Sequence, residues 1–246
     1  MSKAFAEAGV EFTRIPAIDG KQLSDEKISS VVSEESYWGR LTPGEVGCFL
    51  SHRLCWQAIA EGDQPFGAVF EDDMLLGTRA GEVLSTISWM PNDADIVKLE
   101  TAGSRIYLDK VVETQTGGCS IQRLRSSHYC AGGYILSRGA ARRLLDDSQT
   151  FSEPVDDVLF SLRSVAAGNF VMYQVVPAIC MQRSRNMSNP ADAMLPSSIE
   201  GRERKTMKQL SFGERARLVA FKESQSAINK LLTILGKRER IVVEFK

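Results

Sequence analysis

Residues 66–76, FGAVFEDDMLL, decide the fold: an apolar run of strand character stops on three consecutive carboxylates, Glu71, Asp72 and Asp73. The near-continuous apolar character of FGAVF predicts a strand covered on both faces, as in a parallel sheet. In open α/β sheets, ligands lie beyond the carboxyl ends of the strands, which is where these acids stand. Side chains alternate along an extended chain, so Glu71 and Asp73 face one way and Asp72 the other. Two carboxylates spaced i and i+2 form a half-site for a hard divalent ion. Mg²⁺ and Mn²⁺ take oxygen ligands, and Mg²⁺ commonly shares its shell between one or two carboxylates and substrate phosphates. A solvated turn, or an acidic cap for the next helix, accounts for the same tripeptide.

Outward from this stretch, helices and strands alternate. Ser2 is placed to cap a short helix ended by Gly9, and EFTRIPAI reads as a strand entering the Asp19-Gly20 turn. Ser24 starts a helix with Asp25 and Glu26 in its first turn. At 42–45, T-P-G-E carries a capping Thr42, Pro43 at the first helical position and Glu45 closing a capping box. The helix it opens runs to Gly62 with an apolar stripe of Val46, Phe49, Leu50, Leu54 and Ile59. A helix is predicted around 79–89 and a strand at 95–100. IYLDKVVETQTGGCSIQRL reads as two or three strands about a Gly117-Gly118 turn. GGYILS enters a helix capped by Ser137, Pro154 opens a helix to Gly168, and FVMYQVV is a further strand. The alternation predicts an α/β domain with a largely parallel sheet over residues 1–185. Residues 186–246 read as a loop followed by a basic helical appendage.

The 246 residues are 43% hydrophobic and 25% charged with a net charge of −1, the balance of an ordinary globular protein. Near-neutrality argues against a general nucleic-acid binder. Charge is uneven, however: residues 201–246 hold twelve Lys and Arg against five Asp and Glu. With apolar residues such as Leu218, Phe221 and Leu231, that segment could lie on an anionic membrane face or pack back on the domain. Five cysteines without a C-x-x-C pair favour a reducing compartment over a disulfide framework. No secretory leader or spanning stretch is visible, so a cytoplasmic location is expected.

The ordered blocks GEVGCFLSHRLCW, FGAVFEDDMLL, AGGYILSRGAARRLL, EPVDDVLF and VPAICMQRS resemble glycosyltransferase family 25, and AGVEFTRIPAIDG is similar to its early segment. The resemblance covers roughly residues 4–185. It implies a GT-A type nucleotide-sugar fold and metal-dependent, inverting transfer of a sugar, often galactose from UDP-galactose, to a saccharide such as a lipooligosaccharide. It also implies that Glu71-Asp72-Asp73 takes the place of the acidic D-x-D motif. Asp73 would then contact Mn²⁺ or Mg²⁺, and Glu71 would hold the metal or the nucleotide. The family's usual opening strand, of the type INLD-R-x-x-R, has no counterpart ahead of residues 3–9. A catalytically impaired nucleotide-sugar-binding relative is therefore the alternative reading.

Inverting transfer needs a base separate from the metal ligands. Asp156 and Asp157, after Pro154, are the candidate pair, with Asp156 favoured by the family block; two acids in a first helical turn also simply suit the dipole. His52, in LSHR, is a nucleotide contact or a satisfied core residue. His128 precedes Gly132-Gly133, which would let backbone approach a ligand. Arg123, with Arg105 and Arg125, is a candidate for the diphosphate. The cysteines lack a partner His of catalytic type, and Cys48 and Cys55 read as core.

Overall fold

The computed structural model describes residues 1–33, 39–164, 168–186 and 210–246. Most of the predicted loop after residue 186 and the basic stretch at 202–209 lie outside the described residues. A seven-stranded sheet forms the centre: β1 (Phe66–Phe70), β3 (Ile96–Lys98), β4 (Arg105–Thr116), β5 (Cys119–Leu124), β6 (Gly133–Ser137), β7 (Met172–Val176) and β9 (Arg238–Val242). Its order is β1-β6-β3-β7-β5-β4-β9. β2 (Met74–Leu76) and β8 (Cys180–Gln182) form a separate two-stranded sheet.

The expected parallel sheet is corrected: within the seven strands only β3 and β7 run parallel, and the other neighbours are antiparallel. The run that prompted the expectation, β1, is an edge strand with Ala68 exposed and only Val69 buried, so it is not covered on both faces. A run that is fully covered inside a layered domain fits an antiparallel strand equally well. β6 shows this, with four consecutive buried residues while it pairs antiparallel to both neighbours. Its side chains alternate between two cores: Leu136 packs with the helices on one face and Ile135 with Met74, Val83 and Trp89 on the other.

Helix α1 spans Ser2–Ala8 and closes on Gly9 in the left-handed region, while Ser2 makes no capping bond because Met1 occupies the cap. Residues 11–18 are not a strand. α2 (Asp25–Val31) is capped by Ser24, and α3 (Pro43–Glu61) carries the full Thr42/Glu45 box and ends at Gly62. α3 buries Val46, Phe49 and Trp56, whereas Leu54 of the expected stripe is exposed. α4 is only Ala80–Leu84, α5 is Arg138–Asp147 with the Ser137 cap, and α6 is Val155–Phe160, ended by an extended Ser161 well before Gly168. The Gly117-Gly118 turn between β4 and β5 has φ of +51° and +67°, which is what a tight hairpin demands of its two central residues.

The C-terminal segment is more than an appendage. After α7 (Phe212–Ile234), β9 pairs with Arg105–Asp109 of β4, and Val243 is buried in the helical-face core. Asp109 joins the two segments by accepting from Arg238 Nε at 3.1 Å and from Arg125 Nε at 2.8 Å.

Candidate functional site

Glu71 follows the last residue of β1 and fixes its backbone by donating N–H to the Gly132 carbonyl at 2.9 Å. The chain turns at Asp72 and Asp73 and enters β2, whose Met74 is opposite Gln182 in β8. That pairing brings the C-terminal family block onto the acidic strand end. Gln182 Nε2 donates to Glu71 Oε2 at 3.3 Å, and the Arg183 N–H donates to the Asp73 carbonyl at 3.0 Å. Asp72 is exposed while Glu71 and Asp73 are half-buried, an arrangement set by the turn and not by an extended strand.

α3 supplies the other wall. Its Cys48 and His52, one turn apart, both point at Glu71 Oε1, with Cys48 Sγ at 3.8 Å and His52 Nε2 at 3.2 Å. These three side chains present atoms within 4.8 Å of one another, the spacing of a soft-metal cluster. Burial, followed by the charge of Glu71, pushes the Cys48 thiol far up, so it stays S–H and donates. Burial also raises the Glu71 carboxyl, but hydrogen bonds from His52 and Gln182 and the nearby Lys98 ammonium outweigh it and hold the group below its ordinary value.

Asp73 moves the opposite way. Burial, then the charges of Glu71, Asp72 and Glu100, push it up to about 6. Its Oδ1 is buried and has no hydrogen-bond partner among the described residues. Glu100 is fully buried; its Oε2 accepts from Lys98 Nζ at 2.9 Å and from Gly133 N at 3.1 Å, and its Oε1 is unpartnered. Isolated buried carboxylate oxygens are costly, and a cation is the partner their charge calls for. The residues present therefore fit a hard divalent ion, with Asp73 Oδ1 and the second lone pair of Glu71 Oε2 available as donors.

A second polar group lies beneath. Lys98, 0% exposed, sits 4.1 Å over the Phe160 ring and also donates to the Cys130 carbonyl. The Cys130 N–H donates to Asp156 Oδ2 at 3.1 Å, so Asp156 and Lys98 hold the two peptide units that flank the Cys130 Cα. Cys130 has φ +67°, the left-handed region, a conformation a non-glycine residue keeps only when its surroundings enforce it.

The candidates thus separate. Glu71 meets His52 directly and Asp73 through charge, and Asp156 is linked to Glu71 only indirectly, through Cys130 and Lys98. Asp157, next on α6, donates its N–H to Asp156 Oδ1 at 3.0 Å. His128 is buried against Phe160, and its Nδ1–H donates to the Tyr129 carbonyl at 2.7 Å. Burial, then the Lys98 charge, lower it to about 3, so it is neutral near pH 7. Arg123 pairs with Asp93 at 3.2 Å and has no described contact with the acidic strand end; Arg125 is taken by Asp109. The Gly132-Gly133 pair makes room for neighbouring side chains. A Cβ at Gly132 would lie 2.4 Å from Met74 Sδ, and one at Gly133 would lie 2.3 Å from Cys180 Sγ. Sequence reasoning assigned no role to Gln182, Tyr134, Lys98 or Glu100. Gln182 and Tyr134 fall within the family blocks, which marks the segments without giving the residues a role. Lys98 and Glu100 lie outside those blocks, and all four acquire their partners only through the fold.

Residues 1–159 match the family described as Glycosyltransferase family 25 (LPS biosynthesis protein). The chain is similar to the "Lipooligosaccharide biosynthesis protein lex-1" of Haemophilus influenzae, 31% identical over 187 residues, covering 69% of this chain and 61% of that protein. It is 30% identical over 191 residues to the "Lacto-N-neotetraose biosynthesis glycosyltransferase LgtB" of Neisseria gonorrhoeae, covering 74% and 68% of the two chains. With the "Lipooligosaccharide biosynthesis protein lic2B" of Haemophilus influenzae the identity is 25% over 252 residues, covering 98% and 87%. The match to the first of these spans less than two thirds of that protein's length.

Proposed function

Because this chain belongs to glycosyltransferase family 25, we propose that it transfers a hexose, galactose from UDP-galactose, with inversion onto a lipooligosaccharide saccharide. The acidic strand end holds the donor through Mn²⁺ or Mg²⁺, within a GT-A type fold. The observation that carries this reading is the buried, unpartnered Asp73 Oδ1 beside Glu71 and Glu100. Asp73 and Glu71 would hold the ion, which when bound supplies positive charge for the departing diphosphate. Glu71 is already oriented by His52, Cys48 and Gln182, so it can serve without rearrangement.

The acceptor hydroxyl forms its bond to the anomeric carbon as the bond from that carbon to the diphosphate breaks, and its proton passes to a carboxylate. Asp156 is the proposed base, with Asp157 beside it. Each Asp156 oxygen accepts one backbone N–H and keeps a lone pair for the proton. UDP leaves with the donor's electron pair.

Cytoplasmic placement at the inner face of a membrane belongs to the same proposal. Among the described residues no helix is long and apolar enough to cross a membrane. α7 exposes Phe212, Val219, Leu231 and Ile234 among lysines and arginines, a composition suited to peripheral contact.

The test is release of UDP from UDP-galactose, with and without saccharide acceptor, in the presence of Mn²⁺ and after its chelation. Metal-dependent release that Asp73→Asn abolishes is expected. Mn²⁺·UDP binding without turnover would assign the chain to a nucleotide-sugar-binding relative instead, and absence of both would reject the site.

A further inference from the structure

Behind Glu71 the hydrogen bonds have a direction that no single distance reveals. The Trp56 indole Nε1–H is a donor only, and it lies 2.8 Å from the Tyr134 hydroxyl oxygen. Tyr134 must therefore accept from Trp56 and place its own O–H elsewhere. The phenol is fully buried, and burial raises it so far that it keeps its proton. Its other described neighbour is His52 Nδ1 at 2.9 Å, with the two rings stacked at 16°. Were Nδ1 protonated, the hydroxyl oxygen would receive two donors and leave a buried O–H without an acceptor, which is the costly arrangement. Nδ1 is thus the acceptor, and the ring proton sits on Nε2, aimed at Glu71 Oε1.

We infer that Trp56 and Tyr134 are positioning residues. The chain of donors Trp56→Tyr134→His52→Glu71 holds His52 as the Nε2–H tautomer and so presents Glu71 to the donor in one orientation. The inference rests on the proposed role of Glu71 in holding the metal and nucleotide. It explains why a histidine stands inside the wall of an acidic site. His52 is a one-way link that supplies Oε1 of Glu71 with a donor, leaving the second lone pair of Oε2 for the ion.

The chain contains two histidines, which makes the test direct. His128 donates from Nδ1, so the two rings carry opposite tautomers. Long-range ¹H–¹⁵N spectra of the ¹⁵N-labelled full chain at neutral pH should show one histidine protonated on Nε2 and the other on Nδ1. In Tyr134→Phe the His128 signals should persist, reporting an intact fold, while the His52 signals shift toward a mixture of tautomers. Calorimetric affinity for Mn²⁺·UDP should then fall by about 10–100-fold, the usual effect of removing an outer partner of a metal ligand. His52→Gln, whose amide can accept from Tyr134 and donate to Glu71, should bind better than His52→Leu. A His52 protonated on Nδ1, unshifted His52 signals in Tyr134→Phe, or equal losses in the two His52 variants would overturn the relay. A wild-type chain that takes up no Mn²⁺·UDP would refute the site reading and the positioning role with it. A wrong tautomer in a chain that does bind would refute the relay alone.

Discussion

Two carboxylates, two residues apart, are driven in opposite directions by their surroundings. Glu71 is held below its ordinary value because donors face both its oxygens, while Asp73 is raised to about 6 with a buried oxygen facing nothing. A divalent cation would relieve Asp73 and share Glu71. Replacing Asp73 with Asn keeps the shape and removes the charge; metal-dependent UDP release should fall by about 10–100-fold or more, since losing a ligand costs no less than losing its orienting partner. His128 gives a separate expectation at residue scale. Its folded value near 3 lies below the unfolded value of 6.5, so the unfolded chain takes up a proton first as pH falls. Stability is fully present above pH 6.5 and is lost from there down toward about 3, at about 1.4 kcal/mol per pH unit for one proton. Asp73, raised from 3.8 to about 6, works in the opposite sense over part of this range in both proteins. The check is therefore the difference: between pH 7 and 5 thermal stability should change less favourably with acid in the wild type than in His128→Asn.

At the scale of elements, α3 is the wall that carries Cys48, His52 and Trp56, and its seat is set by close backbone approach. A Cβ on Gly47 would meet Gly20 N and the Ile18 carbonyl oxygen, both at 2.6 Å, and neither can yield without moving the chain. Gly139 in α5 faces open space. Gly47→Ala is therefore expected to destabilise by about 1–3 kcal/mol through overpacking. Gly139→Ala should stabilise by about 0.5–1 kcal/mol through helix propensity. Denaturant unfolding of the pair checks both signs.

This division between local and distant causes is also what the sequence could and could not disclose. The Thr42 box, the Ser24 and Ser137 caps and the Gly117-Gly118 turn depend on residues a few positions apart, and each was legible. Strand direction was not, because apolar runs report burial and leave the partner unspecified. α6 also stopped early, since Ser161 turns extended to place its neighbours against Ser127 and His128. In the site, the acids Glu71 and Asp73 were legible as a strand end. Gln182 and Tyr134 were not, because their roles arise from β2 pairing with β8 and from β6 passing under α3.

Over the whole molecule, the C-terminal residues close the sheet that supports this site. β9 covers the outer half of β4, Arg238 bridges Asp109 and Asn229, and Gln122 donates to Glu239 at 2.9 Å. Removing residues 237–246 should expose a long unpaired edge, and such edges recruit other chains. The shortened protein is expected to aggregate or to melt well below the full chain, as read by light scattering during a thermal ramp. Unchanged melting would mean that the sheet is complete without β9.

The most direct measurement is titration of Mn²⁺ into the full chain in the presence of UDP, followed by the electron paramagnetic resonance of the free ion, for wild type and Asp73→Asn. The expected result is a saturable site in the wild type that is weakened at least about 10-fold by the substitution while the fold persists. Equal uptake by the two proteins, or none by either, would contradict the assignment of the acidic strand end as the place where donor and metal meet.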